Sequence, residues 1–220
     1  MSCVLVVSPH PDDETLGAAG TLLKYKSENK KIYWLNFTNM DIKYGYTEEQ
    51  VNKRKHEIQQ VIKEYGFDGF FDLGLKPANL DAYNSCDVIE KISKAINEVK
   101  PTTIILPNRS DVHSDHKVVF DWCYSCTKIF RYPYIKKILT MEILSETDFS
   151  YIDNAFVANY YVDISDYLKR KIEILKLYNS ELGKHPFPRS IEGIESLAKI
   201  RGINAGVQYA EAFKVIKFIE

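Results

Sequence analysis

The run from Val6 to Thr15, Val-Val-Ser-Pro-His-Pro-Asp-Asp-Glu-Thr, constrains the fold of this 220-residue chain more than any other stretch. Hydrophobic residues at 3–7 stop at Ser8-Pro9, an imidazole and three acids follow within residues 10–14, and a helical pattern rich in small residues then begins. Charged side chains therefore sit where a strand becomes a helix. In a parallel α/β sheet that junction lies at the carboxyl edge, where crevices open and the helix start presents free backbone N–H groups.

The same alternation continues along the chain. Residues 16–26 read as a helix whose Gly17, Ala18, Ala19 and Gly20 permit close packing on a sheet, and residues 32–38 read as a second strand. Thr47 to Gln50 has the residues of a capping box, and Val51, Ile58, Val61, Ile62 and Tyr65 carry a helix to a stop at Gly66. A short strand is expected over 70–73, a helix with an apolar face over 88–99 and a β-branched strand over 102–106. Residues 118–129 then read as a helix, 137–144 as a fifth strand, 160–164 as a strand, 167–177 and 191–200 as helices, and 213–219 as a closing strand. Strands alternating with helices imply right-handed crossovers and a mostly parallel sheet, an α/β Rossmann-like three-layer fold. With no internal repeat and no low-complexity linker, residues 1–220 are expected to form a single domain.

Composition excludes little but some partners. Hydrophobic residues make up 45% and charged residues 27%, and 29 basic side chains balance 30 acidic ones to a net charge of −1. No basic block or aromatic-interleaved basic stripe points to nucleic acid, and no apolar run nears the ~20 residues that span a bilayer. With no leader-like segment, the expected location is cytoplasmic. Cys3, Cys86, Cys123 and Cys126 are not spaced as a disulfide framework; the lone Cys123-x-x-Cys126 reads as two small apolar residues one turn apart on a helix.

A second ligand-rich loop, Asn-Arg-Ser-Asp-Val-His-Ser-Asp-His at 108–116, follows the fourth strand. His10 and Asp13 are three apart, as are His113 and His116. Two such loops on neighbouring parallel strands can supply two histidines and one carboxylate to a metal that keeps open positions, the pattern of a catalytic zinc site rather than a sulfur-rich structural one. Asp12, beside Asp13, is placed to hold a water and take its proton. Asp115, between the histidines, is expected to orient His113 and favour an imidazolium that donates to a developing oxyanion. Glu14 suits either a supporting role at the site or the helix dipole.

His-Pro-Asp-Asp-Glu at 10–14 together with His-Ser-Asp-His at 113–116 resembles the PIG-L/LmbE family of zinc-dependent N-acetyl-sugar deacetylases. The likeness extends to Arg54 with Glu57, residues 171–180, residues 197–202 and Tyr-Ala-Glu-Ala-Phe at 209–213. It implies zinc on His10, Asp13 and His116, with Fe2+, Co2+ or Ni2+ as other cations such ligands accept. It further implies Asp12 as general base and then acid, and His113 with Asp115 as the oxyanion or acid partner. Arg54 would reach sugar hydroxyls or an anionic group. The implied reaction is hydrolysis of an acetamide on an N-acetylglucosamine-type sugar to acetate and a free amine.

This chain departs from the family pattern at Lys76 to Asn79, at Thr38-Asn39-Met40 and at Ser114, and Tyr178 is its candidate for an oxyanion-assisting tyrosine. The loop His-Pro-Phe-Pro-Arg-Ser at 185–190 suits a lid or a plain connection, with Arg189 its candidate for an anionic substrate group, while His56 reads as a surface residue. Arg201, before Gly202, suits a helix end. An exposed aromatic group at Tyr124, Phe130, Tyr132 and Tyr134 suggests a homo-oligomer. Two rival readings are a non-catalytic sugar- or nucleotide-binding module and a phosphoryl or other acyl hydrolase on the same ligands. The first loop lacks Gly-x-Gly-x-x-Gly, and its acids would repel a pyrophosphate.

Overall fold

A computed structural model describes residues 2–150 and 152–220. A seven-stranded sheet forms its centre, from β1 (Cys3–Ser8), β2 (Lys31–Thr38), β3 (Gly69–Leu75), β4 (Thr103–Leu106), β5 (Lys137–Met141), β6 (Tyr160–Asp163) and β7 (Ala210–Phe218). Helices α1 (Asp13–Ser27), α2 (Glu48–Tyr65), α3 (Ser85–Val99), α4 (Ser114–Ser125), α5 (Leu168–Leu175) and α6 (Ile191–Ala205) connect them. The strand order is β3-β2-β1-β4-β5-β7-β6. β1 through β5 run parallel, and β7 enters antiparallel between β5 and β6. Order reverses between β1 and β4, so the two ligand-rich loops leave adjacent strands at the point where parallel sheets open a crevice.

The sheet buries both faces, as a parallel sheet with helices on either side must. Val4, Val6, Trp34 and Leu139 pack with α1, α5 and α6 on one side; Leu5, Leu35, Ile104 and Ile138 pack with α3 and α4 on the other. α1 approaches the sheet so closely that a Cβ on Gly17 would lie 2.7 Å from Met141 Sδ and one on Gly20 would lie 2.5 Å from Ile164 Cγ2. The expected capping box is formed at α2, where Thr47 Oγ1 accepts from Gln50 N at 3.2 Å and Gln50 Oε1 accepts from Thr47 N at 2.9 Å. Gly66 closes that helix in the left-handed conformation.

Three expectations change. α4 begins at Ser114 and not at residue 118, because His113 caps it, its Nδ1 accepting from Asp115 N at 3.1 Å. His116 thereby rides on the first helical turn. α5 ends at Leu175, where the chain turns through a short 3-10 segment and Tyr178 leaves helical geometry. The aromatic group splits: Tyr132 is buried and hydrogen-bonds Ser93, Tyr134 reaches Asn97 on α3, and Phe130 stays exposed. Cys123 and Cys126 are buried free thiols at the end of α4, the apolar reading. Among the described residues no helix is long and apolar enough to cross a membrane.

One buried ion pair joins two stretches, 171–180 and 209–213, whose pairing the sequence did not announce. Glu211 of β7 reaches into the middle of α1, accepting from Gly20 N at 2.9 Å and Thr21 N at 2.8 Å. Lys171 of α5 donates to Glu211 at 2.8 Å and to the Leu16 carbonyl at 2.7 Å.

Candidate active site

The β1–α1 turn is held from within. Glu14, wholly buried, accepts from Ser8 Oγ, Asp12 N, Thr15 Oγ1 and Tyr178 Oη. Burial raises its pKa to about 7. Tyr178 therefore serves this carboxyl group and not the cavity. The turn forces Asp12 to φ 138°, a conformation costly for any residue with a Cβ and typical of strain kept at functional positions.

Around this turn two histidines converge on one carboxylate. His10 Nδ1 lies 3.5 Å and His116 Nε2 lies 3.4 Å from Asp13 Oδ2, and atoms of the three groups fall within 4.8 Å of one another. The far nitrogen of each histidine meets a second carboxylate: His10 Nε2 lies 3.0 Å from Asp115 Oδ2, and His116 Nδ1 lies 2.8 Å from Asp111 Oδ2. Asp111 is itself held by Thr147 Oγ1 at 2.8 Å. A carboxylate behind each imidazole, fixing the ring and raising its basicity, is how metal-ligating histidines are supported.

The electrostatics express the same demand for a cation. Burial favours the neutral imidazole, yet Asp115 and Asp13 outweigh it and lift His10 to about 9. His116 is likewise raised, against its burial, by Asp13 and Asp111. Burial alone would raise Asp13, but the two histidines hold it well below the carboxylate range. Two raised imidazoles facing one lowered carboxylate mark a point where positive charge is favoured, so this donor set fits a metal with open coordination positions.

Asp12 is also buried and lies beside this cluster, and burial with nearby Asp13 and Glu181 pushes its pKa well up while Arg189 pulls against them. Arg189 Nη1 donates to Asp12 Oδ2 at 3.2 Å. The loop at 185–190 thus brings its arginine onto Asp12, and among the described residues Arg189 Nε is buried without a hydrogen-bond partner.

The expected pairing of Asp115 with His113 is corrected. The Asp115 carboxylate accepts from Ala78 N at 2.7 Å and Leu80 N at 3.2 Å and meets His10, and it is the Asp115 backbone N–H, not the carboxylate, that hydrogen-bonds His113. Burial, with His10 and His116 close by, lowers His113 to about 4. Because Nδ1 accepts the Asp115 N–H, the proton of the neutral ring resides on Nε2. His113 is a neutral donor here and not an imidazolium.

Arg54 lines the cavity but is almost wholly buried, and its donors are engaged: Nη1 on the Pro11 carbonyl at 2.9 Å, Nε with Glu57 at 3.1 Å, and Nη2 with Ser180 and Glu181. It clamps the 10–14 turn to the segment after α5. His56 is exposed, as expected, and Arg201 pairs with Glu142.

These groups surround a cavity of about 250 Å3, to which Tyr46, Glu146 and Glu181 also contribute. Asp111 stood in the second loop, five residues before His116, and its support of that histidine was missed. Glu146 and Glu181 lie in stretches with no local pattern to announce them.

The PIG-L family model, described as GlcNAc-PI de-N-acetylase, matches residues 5–126. Diacetylchitobiose deacetylase from Thermococcus kodakarensis is 23% identical over 233 residues, covering 97% of this chain and 82% of that protein. A probable N-acetyl-alpha-D-glucosaminyl L-malate deacetylase 2 from Bacillus subtilis is 30% identical over 122 residues, covering 51% of this chain and 55% of its own length. Among solved structures, a conserved protein from Thermus thermophilus superimposes with a TM-score of 0.79 at 22% identity, covering 100% of this chain and 97% of the other. The 4-carboxy-2-hydroxymuconate hydratase of Pseudomonas putida superimposes at 0.74 with 15% identity, covering 100% and 98%. Structural likeness at these identities establishes the fold alone, since one fold serves several chemistries. The family match spans more than half the chain and includes both ligand-rich loops: this chain belongs to the PIG-L family of de-N-acetylases.

Proposed function

We propose that this chain is a zinc-dependent N-deacetylase that hydrolyses the acetamide of an N-acetylglucosamine-type sugar or conjugate, releasing acetate and a free amine. The observation that carries the reading is the convergence of His10, Asp13 and His116, each histidine backed by its own carboxylate. These three residues would hold the cation, with Fe2+ or Co2+ as substitutes for Zn2+. When bound, it supplies Lewis-acid activation of water and of the acetamide oxygen.

The chain's own groups supply the rest. Asp12 accepts the proton of the attacking water and returns it to the departing amine nitrogen, its raised pKa bringing it toward the range in which one group performs both transfers. Arg189 orients the Asp12 carboxylate, and Glu14 holds its backbone in the strained turn. His113 donates from Nε2 to the oxygen that gains charge. Asp115 acts through His10 and the 78–80 backbone, and Arg54 is a positioning residue that fixes the turn through the Pro11 carbonyl. Free cysteines throughout the chain support residence in a reducing, cytoplasmic compartment.

The test is acetate release from a panel of N-acetylglucosamine conjugates by zinc-reconstituted wild type and Asp12→Ala, with metal content recorded for both. Wild type is expected to release acetate, and the variant to keep its metal while losing turnover by about 10²–10⁴-fold. Equal turnover in the two proteins would remove Asp12 from the mechanism. No release from metallated wild type across the panel would favour the binding-module reading.

A further inference from the structure

A second concavity, of about 360 Å3, adjoins the active-site cavity. The two share Asn39 and Met40, at the end of β2. From there the groove runs between α2 and the edge strand β3, lined by Val51, Ile58, Ile62 and Phe70 together with the exposed Lys55 and Gln59 of α2. Its floor is firm: Phe70 rests on the fully buried Trp34, ring centroids 4.6 Å apart.

The polar groups where groove and cavity meet are already engaged by the protein. Asn39 Nδ2 donates to Asp72 Oδ2 at 2.6 Å, and Asn39 Oδ1 accepts from Met40 N at 2.9 Å. The other Asp72 oxygen accepts from Asn36 Nδ2 at 3.1 Å and Gly74 N at 3.0 Å. Little hydrogen-bonding capacity is left there for sugar hydroxyls, whereas the adjoining walls are mostly aliphatic and aromatic, Lys55 and Gln59 being their polar members, with an adaptable methionine at the entrance.

We propose that this groove is the subsite for an apolar aglycone, an alkyl or aryl group carried by the sugar whose acetamide is cleaved next door. The inference rests on the deacetylase reading for the nature of the sugar; the groove itself is independent of it. Because the groove and the cavity share Asn39 and Met40, an extension of the substrate past these two residues lies against the groove, which argues for an occupant carried by the substrate. Each methylene moved from water into such a site is worth roughly a fourfold gain in affinity.

The experiment compares methyl and hexyl glycosides of N-acetylglucosamine with diacetylchitobiose, whose extension is of similar size but polar. With zinc-loaded wild type, kcat/KM for the hexyl glycoside is expected to exceed that for the methyl glycoside by at least about tenfold, mainly through KM, with diacetylchitobiose near the methyl value. Val51→Lys, at a half-buried position on α2, is expected to bring the hexyl-to-methyl ratio close to one. A second arm needs no turnover: binding of hexyl and methyl glucosaminides to wild type, followed by tryptophan fluorescence, since Trp34 lies beneath Phe70. Preferential hexyl binding without acetate release from any glycoside would overturn the deacetylase reading and keep the subsite. Acetate release with equal hexyl and methyl values in both arms would overturn the subsite and keep the reading. Preference for diacetylchitobiose over the hexyl glycoside would make the occupant a second sugar and sink the apolar assignment.

Discussion

Two buried polar clusters meet α1, one at its start and one at its middle, and they are built on opposite principles. At the start, Asp12, Asp13, Asp111 and Asp115 surround two histidines, and side-chain nitrogen and oxygen atoms of His10, Asp13 and His116 lie within 4.8 Å of one another. In the middle, Lys171 and Glu211 neutralise each other and bind backbone groups of Leu16, Gly20 and Thr21. The first cluster has an excess of negative charge that calls for a cation. The second is complete in itself, so burial alone does not mark a functional site; unmet valence does.

This contrast makes Lys171→Met the substitution expected to cost the most stability. It leaves the Leu16 carbonyl without its lysine partner and Glu211 with no countercharge, and breaking a buried pair from one side costs about 3–5 kcal/mol. Chemical denaturation is expected to show that loss, and metal analysis well below the unfolding transition is expected to show unchanged stoichiometry. Adding Glu211→Gln should return part of the stability, since the uncompensated charge is gone. If Lys171→Met instead retains stability and sheds metal, the two clusters form one functional unit and the comparison fails.

The two clusters also differ in how far the sequence reveals them. The first is written in two short motifs: their spacing marked His10, Asp13, His113 and His116 as candidates, and the likeness to the PIG-L/LmbE family, not spacing, singled out His10, Asp13 and His116. Secondary structure was legible for the same reason: the Thr47 capping box, the Gly66 stop and the small residues of α1 are local signals with local causes. What depended on distant partners was hidden. Nothing near Lys171 or Glu211 shows that they meet across 40 positions inside a third element. The antiparallel insertion of β7 between β5 and β6 has no signature in its own alternation. Even inside a motif, adjacency misled: Asp115 sits two residues from His113, yet its carboxylate turns to His10, because α4 begins at Ser114 and commits the Asp115 N–H to the cap.

Asp111 offers a sharper cut within the first cluster. Its carboxylate touches His116 Nδ1 and not the ligand face, so Asp111→Asn is expected to weaken metal affinity about 10–100-fold while leaving the three ligands in place. Chelator competition measures this directly. Wild-type affinity in the variant would reduce Asp111 to a structural partner of Thr147 and remove the argument from paired carboxylates.

The smallest expected effect separates backbone from side chain at the start of α1. Asp12→Ala and Asp12→Gly both remove the carboxylate, so both are expected to lose turnover equally. They differ in what they do to a residue at φ 138°. Alanine keeps the Cβ that makes this conformation costly, whereas glycine adopts it freely, offset in part by a more flexible unfolded chain. The glycine variant is therefore expected to be the more stable by about 1–2 kcal/mol, within the range stored by a single strained residue. Denaturation of the two variants side by side, both metal-free, isolates the effect. A glycine variant no more stable than the alanine one would mean that the turn relaxes once the carboxylate is gone. In that case the strain belongs to Asp12's contacts with Arg189 and not to the fold, and the start of α1 would be as free of stored strain as its middle.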